Sequence, residues 1–186
     1  MRVPYNEMDL QMKIGVVADT HRNKDYMRSA VEWMLNRNKI SMLCHLGDDY
    51  DDVLGITEEY IEVLQVPGLY DPRYRDKSLP AKVTETIQGL TVMLVHDFEK
   101  DGSSADLLHA NIILCGHTHH AELRLESGVL FMNPGHLKGP LDKNEPPSFG
   151  LLDIQDRNVS AKIFSMDFKQ IHGMELIRSE NQLFKM

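Results

Sequence analysis

The sequence predicts an α/β fold whose strands deliver metal-ligating side chains at their ends. Three observations carry that expectation. Short apolar runs recur at residues 13–18, 40–46, 90–95 and 112–115, and runs of this length read as buried strands, since helices need roughly 10–12 residues. Residues 26–36 place Met27, Ala30, Val31, Met34 and Leu35 at helical spacing between the first two runs. All four runs lead into Asp or His, and ligands of open α/β sheets gather at the carboxyl ends of strands.

Bulk properties narrow the function classes. A chain of 186 residues, 42% apolar and 26% charged, suits one domain with a sizeable core. No run approaches the roughly 18 apolar residues of a membrane span, and residues 1–12 lack a signal-peptide core, so a cytoplasmic protein without membrane partners is expected. Cys44 and Cys115 each sit inside an apolar run and read as reduced, buried packing residues. The formal charge of −8 argues against a long nucleic acid as partner. It leaves room for a small phosphorylated substrate, because metal ions supply local positive charge. Self-association is compatible with everything in the composition.

Residues 1–12 carry no period and read as an N-terminal extension ahead of a single domain over 13–186. The first strand ends at Asp19-Thr20-His21. Asp19 and His21 are two residues apart, so an extended chain points both to one side. The second strand reaches Gly47-Asp48-Asp49. Asp48 is the better ligand candidate because it follows the glycine, whereas Asp49, Asp51 and Asp52 suit the start of a helix over 51–65. His45 lies inside the strand and reads as a supporting or core residue. Val66-Pro67-Gly68-Leu69-Tyr70-Asp71-Pro72 reads as a loop.

A hairpin follows over 82–95, closing on His96-Asp97, and Ser103 or Ser104 caps a short helix ending near His109. Then comes the most informative stretch, Ile112-Ile113-Leu114-Cys115-Gly116-His117-Thr118-His119-His120. The glycine lets the chain turn where the strand leaves the sheet. Beyond it, His117 and His119 can present imidazole nitrogens to one cavity, and neutral imidazole is the commonest metal ligand. A second hairpin spans 122–132, residues 137–147 form a loop, and a third hairpin turns at Asp156-Arg157-Asn158. The tail adds at most a strand at 174–177. His120 and His136 read as surface or supporting residues. Four strand ends thus offer Asp19/His21, Asp48, His96 and His117/His119. Six mixed nitrogen and oxygen ligands exceed the needs of one structural zinc and suit a two-metal site.

The ordered set Asp19-Thr20-His21, Gly47-Asp48, Gly68-x-x-Asp71, His96, Gly116-His117-Thr118-His119 and Asn133-Pro134-Gly135 resembles the calcineurin-like metallophosphoesterases. The likeness is to their small subfamily of phosphodiesterases and the phosphoesterase-like retromer subunit, and it covers roughly residues 13–166. That resemblance implies a four-layer α-β-β-α sandwich of two packed mixed sheets flanked by helices. It implies that Asp19, His21 and His119 hold one divalent transition metal (Mn, Ni, Fe, Co or Zn), His96 and His117 a second, and Asp48 bridges them. A bridging hydroxide would then hydrolyse a small phosphodiester. One departure matters: Leu69 stands where the family has a ligating asparagine, and Tyr70 where it has a proton donor. Leu69 has no donor atom and weakens the second site. Tyr70 as proton donor and Asp71 as replacement ligand are the expected compensations. The alternative is a phosphoesterase-like module that binds protein through a weakened metal site.

Overall fold

The computed structural model describes residues 11–55, 61–179 and 182–186. From the amino terminus come strand β1 (Met12–Val17), helix α1 (Lys24–Trp33) and strands β2 (Met42–His45) and β3 (Glu62–Gln65). Next come α2 (Pro72–Arg75), β4 (Lys82–Ile87), β5 (Leu90–Val95), α3 (Phe98–Asp101), α4 (Ser104–His109), β6 (Ile112–Leu114), β7 (Ala121–Glu126) and β8 (Val129–Pro134). The chain finishes with β9 (Ser148–Ile154), β10 (Asn158–Ser165), β11 (Gln170–Ser179) and β12 (Gln182–Lys185).

These strands make two mixed sheets, one of seven strands in the order β12-β11-β10-β9-β1-β2-β3 and one of five in the order β4-β5-β6-β8-β7. Alternation along β1 explains why they pack. Ile14, Val16 and Ala18 face the second sheet and join Val92, Leu94, Ile112, Leu114, Leu130 and Met132 in a buried layer. Val17 faces the other way, under Met27, Ala30 and Val31 of α1. On the far face of the five-stranded sheet, Met93, Val95, Ile113 and Phe131 are covered by Ala110 and Phe98, from the short α3–α4 segment. The result is the expected four layers, with the helical layer over the smaller sheet reduced to two short helices.

Several local expectations are corrected. Met12 already pairs with Ile154, so β1 begins one residue earlier than the sequence suggests; residues 1–10 of the expected extension lie outside the described residues. The helix expected over 51–65 is not formed as such. A short 3-10 turn spans Tyr50–Val53, and Glu62–Gln65 is a strand parallel to β2. The middle of that expectation, residues 56–60, lies outside the described residues. Pairing with the free edge of β2 outweighs a helix-like spacing of apolar residues. The expected tail strand extends to a full hairpin of β11 and β12. The other hairpins and the Ser103-capped helix stand where the sequence places them.

Candidate metal centre

Two parallel sets of strands point their carboxyl ends at one place. In the larger sheet these are β1 and β2, and in the smaller β5, β6 and β8. Backbone hydrogen bonds tie the emerging loops together: Asp19 N–H donates to Gly47 O at 2.7 Å, Gly116 N–H to His96 O at 2.9 Å, and Leu137 N–H to Asp19 O at 3.2 Å. The extended geometry expected at Asp19 and His21 is corrected, because both are left-handed, with φ of 51° and 46°. His117 and His119 share that conformation, with φ of 68° and 65°. Non-glycine residues adopt it rarely, and it concentrates at functional sites. Thr20, between the first pair, turns inward, where its hydroxyl donates to Asp52 at 2.5 Å. Asp19 and His21 therefore still share a side.

Ligand atoms of Asp19, His21, Asp48 and His119 all lie within 4.8 Å of one another. His21 Nε2 is 2.7 Å from Asp48 Oδ2, and His119 Nε2 is 3.2 Å from Asp19 Oδ1. His96 adjoins them, with Nε2 3.1 Å from Asp48 Oδ1 and 3.9 Å from Asp19 Oδ1. Its Nδ1 donates to Leu46 O at 2.6 Å, which leaves Nε2 facing the cluster. Among the described residues, Asp19 Oδ1, Asp48 Oδ1 and His96 Nε2 are buried and find no hydrogen-bond partner. Such groups are costly unless something else satisfies them, and their donor chemistry fits a borderline divalent cation. His117 stands at the rim. Its backbone N–H donates to Asp19 Oδ2 at 2.9 Å, while its half-exposed ring lies edge-on to His96 and 3.6 Å from Asp97.

Electrostatics agree with a cation site. Burial opposes charge on Asp48, yet the His21 and His96 imidazoles hold its carboxyl far below the usual carboxylate range. Hydrogen bonding to Asp48 raises His21, against the opposing effect of burial. At His96 burial is the largest influence and lowers, but Asp48 and Asp19 together leave the pKa raised. The glycines that precede and face Asp48 have no room for a side chain. Gly47 has φ of 91°, and a Cβ there would lie 2.7 Å from His96 Nδ1.

Tyr70 is 70% exposed and lines an open cleft of about 870 Å³ together with His21, Asp48 and Arg73. Asp71 is buried and already engaged: Arg73 donates to both of its oxygens at 2.9 Å, and Tyr50 N–H donates at 3.3 Å. Arg73 accordingly lowers its pKa. Leu69 lies in the turn between these two groups and Gly68, and it brings no donor atom. His45 is buried beside Thr20 and burial lowers its pKa to about 4, consistent with a neutral core residue. Cys44 and Cys115 are unpaired.

Three supporting residues escape a reading of the sequence. Asp52, expected to start a helix, is buried and accepts from Thr20 Oγ1 and from Arg22 N–H at 2.8 Å. Asp97 sits beside His117 while capping α3. Asp142 Oδ2 lies 2.5 Å from His119 Nδ1. Asp52 belongs to an acidic run in which nothing singles it out, and Asp142 to a loop without periodicity. Asn133, by contrast, is in a visible motif, and its amide fastens Gly116 O and Thr118 Oγ1 at 2.9 Å. His120 is exposed and pairs with Glu145, whereas His136 is buried and bonds Glu145 O.

Residues 12–157 match the model of the calcineurin-like phosphoesterase superfamily domain. A protein of Methanothermobacter thermautotrophicus named "Probable metallophosphoesterase" is 27% identical over 161 residues, 82% of this chain and 91% of its own length. Among solved structures, zinc-complexed Vps29 of Entamoeba histolytica aligns with a TM-score of 0.63 at 23% identity, covering 89% of this chain and 99% of that one. An archaeal phosphodiesterase aligns with a TM-score of 0.62 at 20% identity, covering 90% and 100%. Both are similar in fold.

Proposed function

The chain belongs to the calcineurin-like phosphoesterase superfamily, and from that premise we propose that it is a metal-dependent phosphodiesterase acting on small phosphorylated molecules. The observation that carries the reading is the convergence of Asp19, His21, Asp48 and His119, with buried ligand atoms left unpartnered. In this reading those four residues hold one divalent ion, and Asp48, His96 and His117 hold a second. Bound ions would supply Lewis acidity and activate water at neutral pH. The chain's own contribution is placement. The left-handed turns at Asp19, His21, His117 and His119 fix the donors, and the Leu46 carbonyl fixes the proton of His96.

A diester suits the cleft better than a monoester. A phosphate monoester brings about one more negative charge near neutral pH, and although Lys24 also lines the cleft, both of its arginines are already paired with carboxylates. Arg22 pairs with Asp49 at 3.0 Å, and Arg73 with Asp51 and Asp71 at 2.9 Å. Tyr70 lines the same cleft as His21 and Asp48, where its hydroxyl can donate a proton to a departing alkoxide. Manganese, or another borderline metal, is favoured over magnesium by the imidazoles.

The second reading, a protein-binding module on the same fold, is favoured by one observation: Leu69 offers no ligand to the second ion. The deciding experiment compares hydrolysis of bis(p-nitrophenyl) phosphate and p-nitrophenyl phosphate by the manganese-loaded and chelated protein. We expect manganese-dependent turnover, faster on the diester. In Asp48→Asn we expect it to fall by more than ~100-fold, since even partners of ligands are worth 10–100-fold. Absence of turnover on both esters by manganese-loaded protein refutes the enzyme.

A further inference from the structure

The loop from Lys138 to Glu145 is bound to the Gly116-His117-Thr118-His119-His120 turn at several points. Asp142 Oδ2 lies 2.5 Å from His119 Nδ1, Glu145 Oε1 lies 2.6 Å from His120 Nδ1, and Lys143 Nζ donates to His117 O at 3.1 Å. Only the first contact reaches a side chain of the metal cluster. His119 is buried, with Nε2 turned to Asp19 Oδ1 at 3.2 Å. A neutral imidazole carries its proton on one nitrogen, and the partner of that nitrogen decides which. A carboxylate only accepts, so Asp142, at hydrogen-bond distance, draws the proton to Nδ1. Among the described residues Asp19 Oδ1 makes no hydrogen bond to Nε2, which faces His21 Nε2 at 3.4 Å and keeps its lone pair for a cation. Asp142 is itself held in place. Lys138 Nζ donates to its other oxygen at 2.7 Å, and its backbone pairs with Glu145 through bonds of 3.1 and 2.8 Å. His96 has a weaker version of the same device, with a neutral carbonyl as its acceptor.

We infer that Asp142 is a positioning residue that fixes the tautomer and orientation of His119 for cation binding at the first site. The inference rests on the metal reading above, and one measurement is chosen to be independent of it. Long-range proton–nitrogen correlation spectra of the metal-free full chain report which nitrogen of His119 is protonated. The wild type should show the Nδ1–H form, and Asp142→Ala should lose it. Manganese titration by calorimetry should then show Asp142→Ala binding at the first site 10–100-fold more weakly, Asp142→Glu recovering most of the loss, and Glu145→Ala, which removes the carboxylate that meets His120, unchanged within twofold. A loop that merely braces the turn would move melting temperature in both the Asp142 and Glu145 variants without changing the tautomer. An unchanged His119 tautomer in Asp142→Ala overturns the inference, as does an undiminished manganese affinity in Asp142→Ala when the wild type binds the ion. Should the wild type bind no ion while the tautomer still changes in Asp142→Ala, the positioning role stands and the metal reading fails.

Discussion

Gly68→Ala tests the geometry of the centre without replacing a ligand. A Cβ on Gly68 would sit 2.5 Å from Asp48 Cα and closer still to Asp48 Oδ1, where ordinary contact needs 3.4–4 Å. Rotating the carboxylate cannot relieve a clash with its own Cα, so the Asp48 segment must retreat by about 1 Å. Metal–ligand distances tolerate only about 0.2 Å, so the proposed bridge should fail. The fold should survive. Overpacking of this kind costs about 1–3 kcal/mol, which for a domain of this size lowers the melting temperature by roughly 2–12 °C. Metal content of the purified variant, its circular dichroism and its melting curve in chelator separate the two effects. We expect a folded protein with a moderately lower melting temperature and little bound metal. A Gly68→Ala protein that retains both ions and wild-type turnover would show that Asp48 does not bridge from the position seen here.

Two further outcomes follow from neighbouring groups. Leu69→Asn supplies an oxygen ligand to the second site and should tighten a weak second ion about tenfold or more, read by calorimetry; equal tight binding of two ions by the wild type would refute the asymmetry. His45, whose folded pKa of about 4 lies below the ordinary 6.5, contributes stability that is complete above pH 6.5 and lost as pH falls toward 4. The chelated wild type should therefore lose about 2 kcal/mol more than His45→Gln between pH 7 and pH 5, and parallel denaturation curves at both pH values would contradict a buried neutral imidazole.

What the sequence made legible divides along a physical line. Asp19, His21, Asp48, His96, His117 and His119 stood out as candidate ligands because their side chains suit cations and strand ends supply them, and the structure gathers Asp19, His21, Asp48 and His119 in one group. Hairpins such as β4–β5 were legible because their patterning is local. Glu62–Gln65 was not, since only a distant neighbour, β2, makes it a strand. Asp142 was hidden for the same reason: it acts on His119 across 23 residues of sequence, from a loop without a period. The left-handed turns at the candidate ligands have no sequence signature at all, because the residues there are not glycine.

That division bears on the choice between enzyme and binding module. Leu69 is a sequence-level reason to expect an unequal pair of sites, and the geometry supplies a separate one. The first site gathers four donors within 4.8 Å, and Asp142 and Lys138 brace one of them. The proposed second site would rely on His117, whose ring is 39% exposed and lies 3.6 Å from Asp97 rather than among the clustered ligands. A partly exposed imidazole loses more freedom on coordinating an ion than a buried one already held in place. Two independent features would thus weaken the proposed second site, and neither touches the first. If both sites must be filled for hydrolysis, occupancy of the second should set the rate, so turnover should follow manganese concentration well after the first ion has saturated. A rate that saturates with the first ion would instead mean that one cation suffices and that His117 has another task.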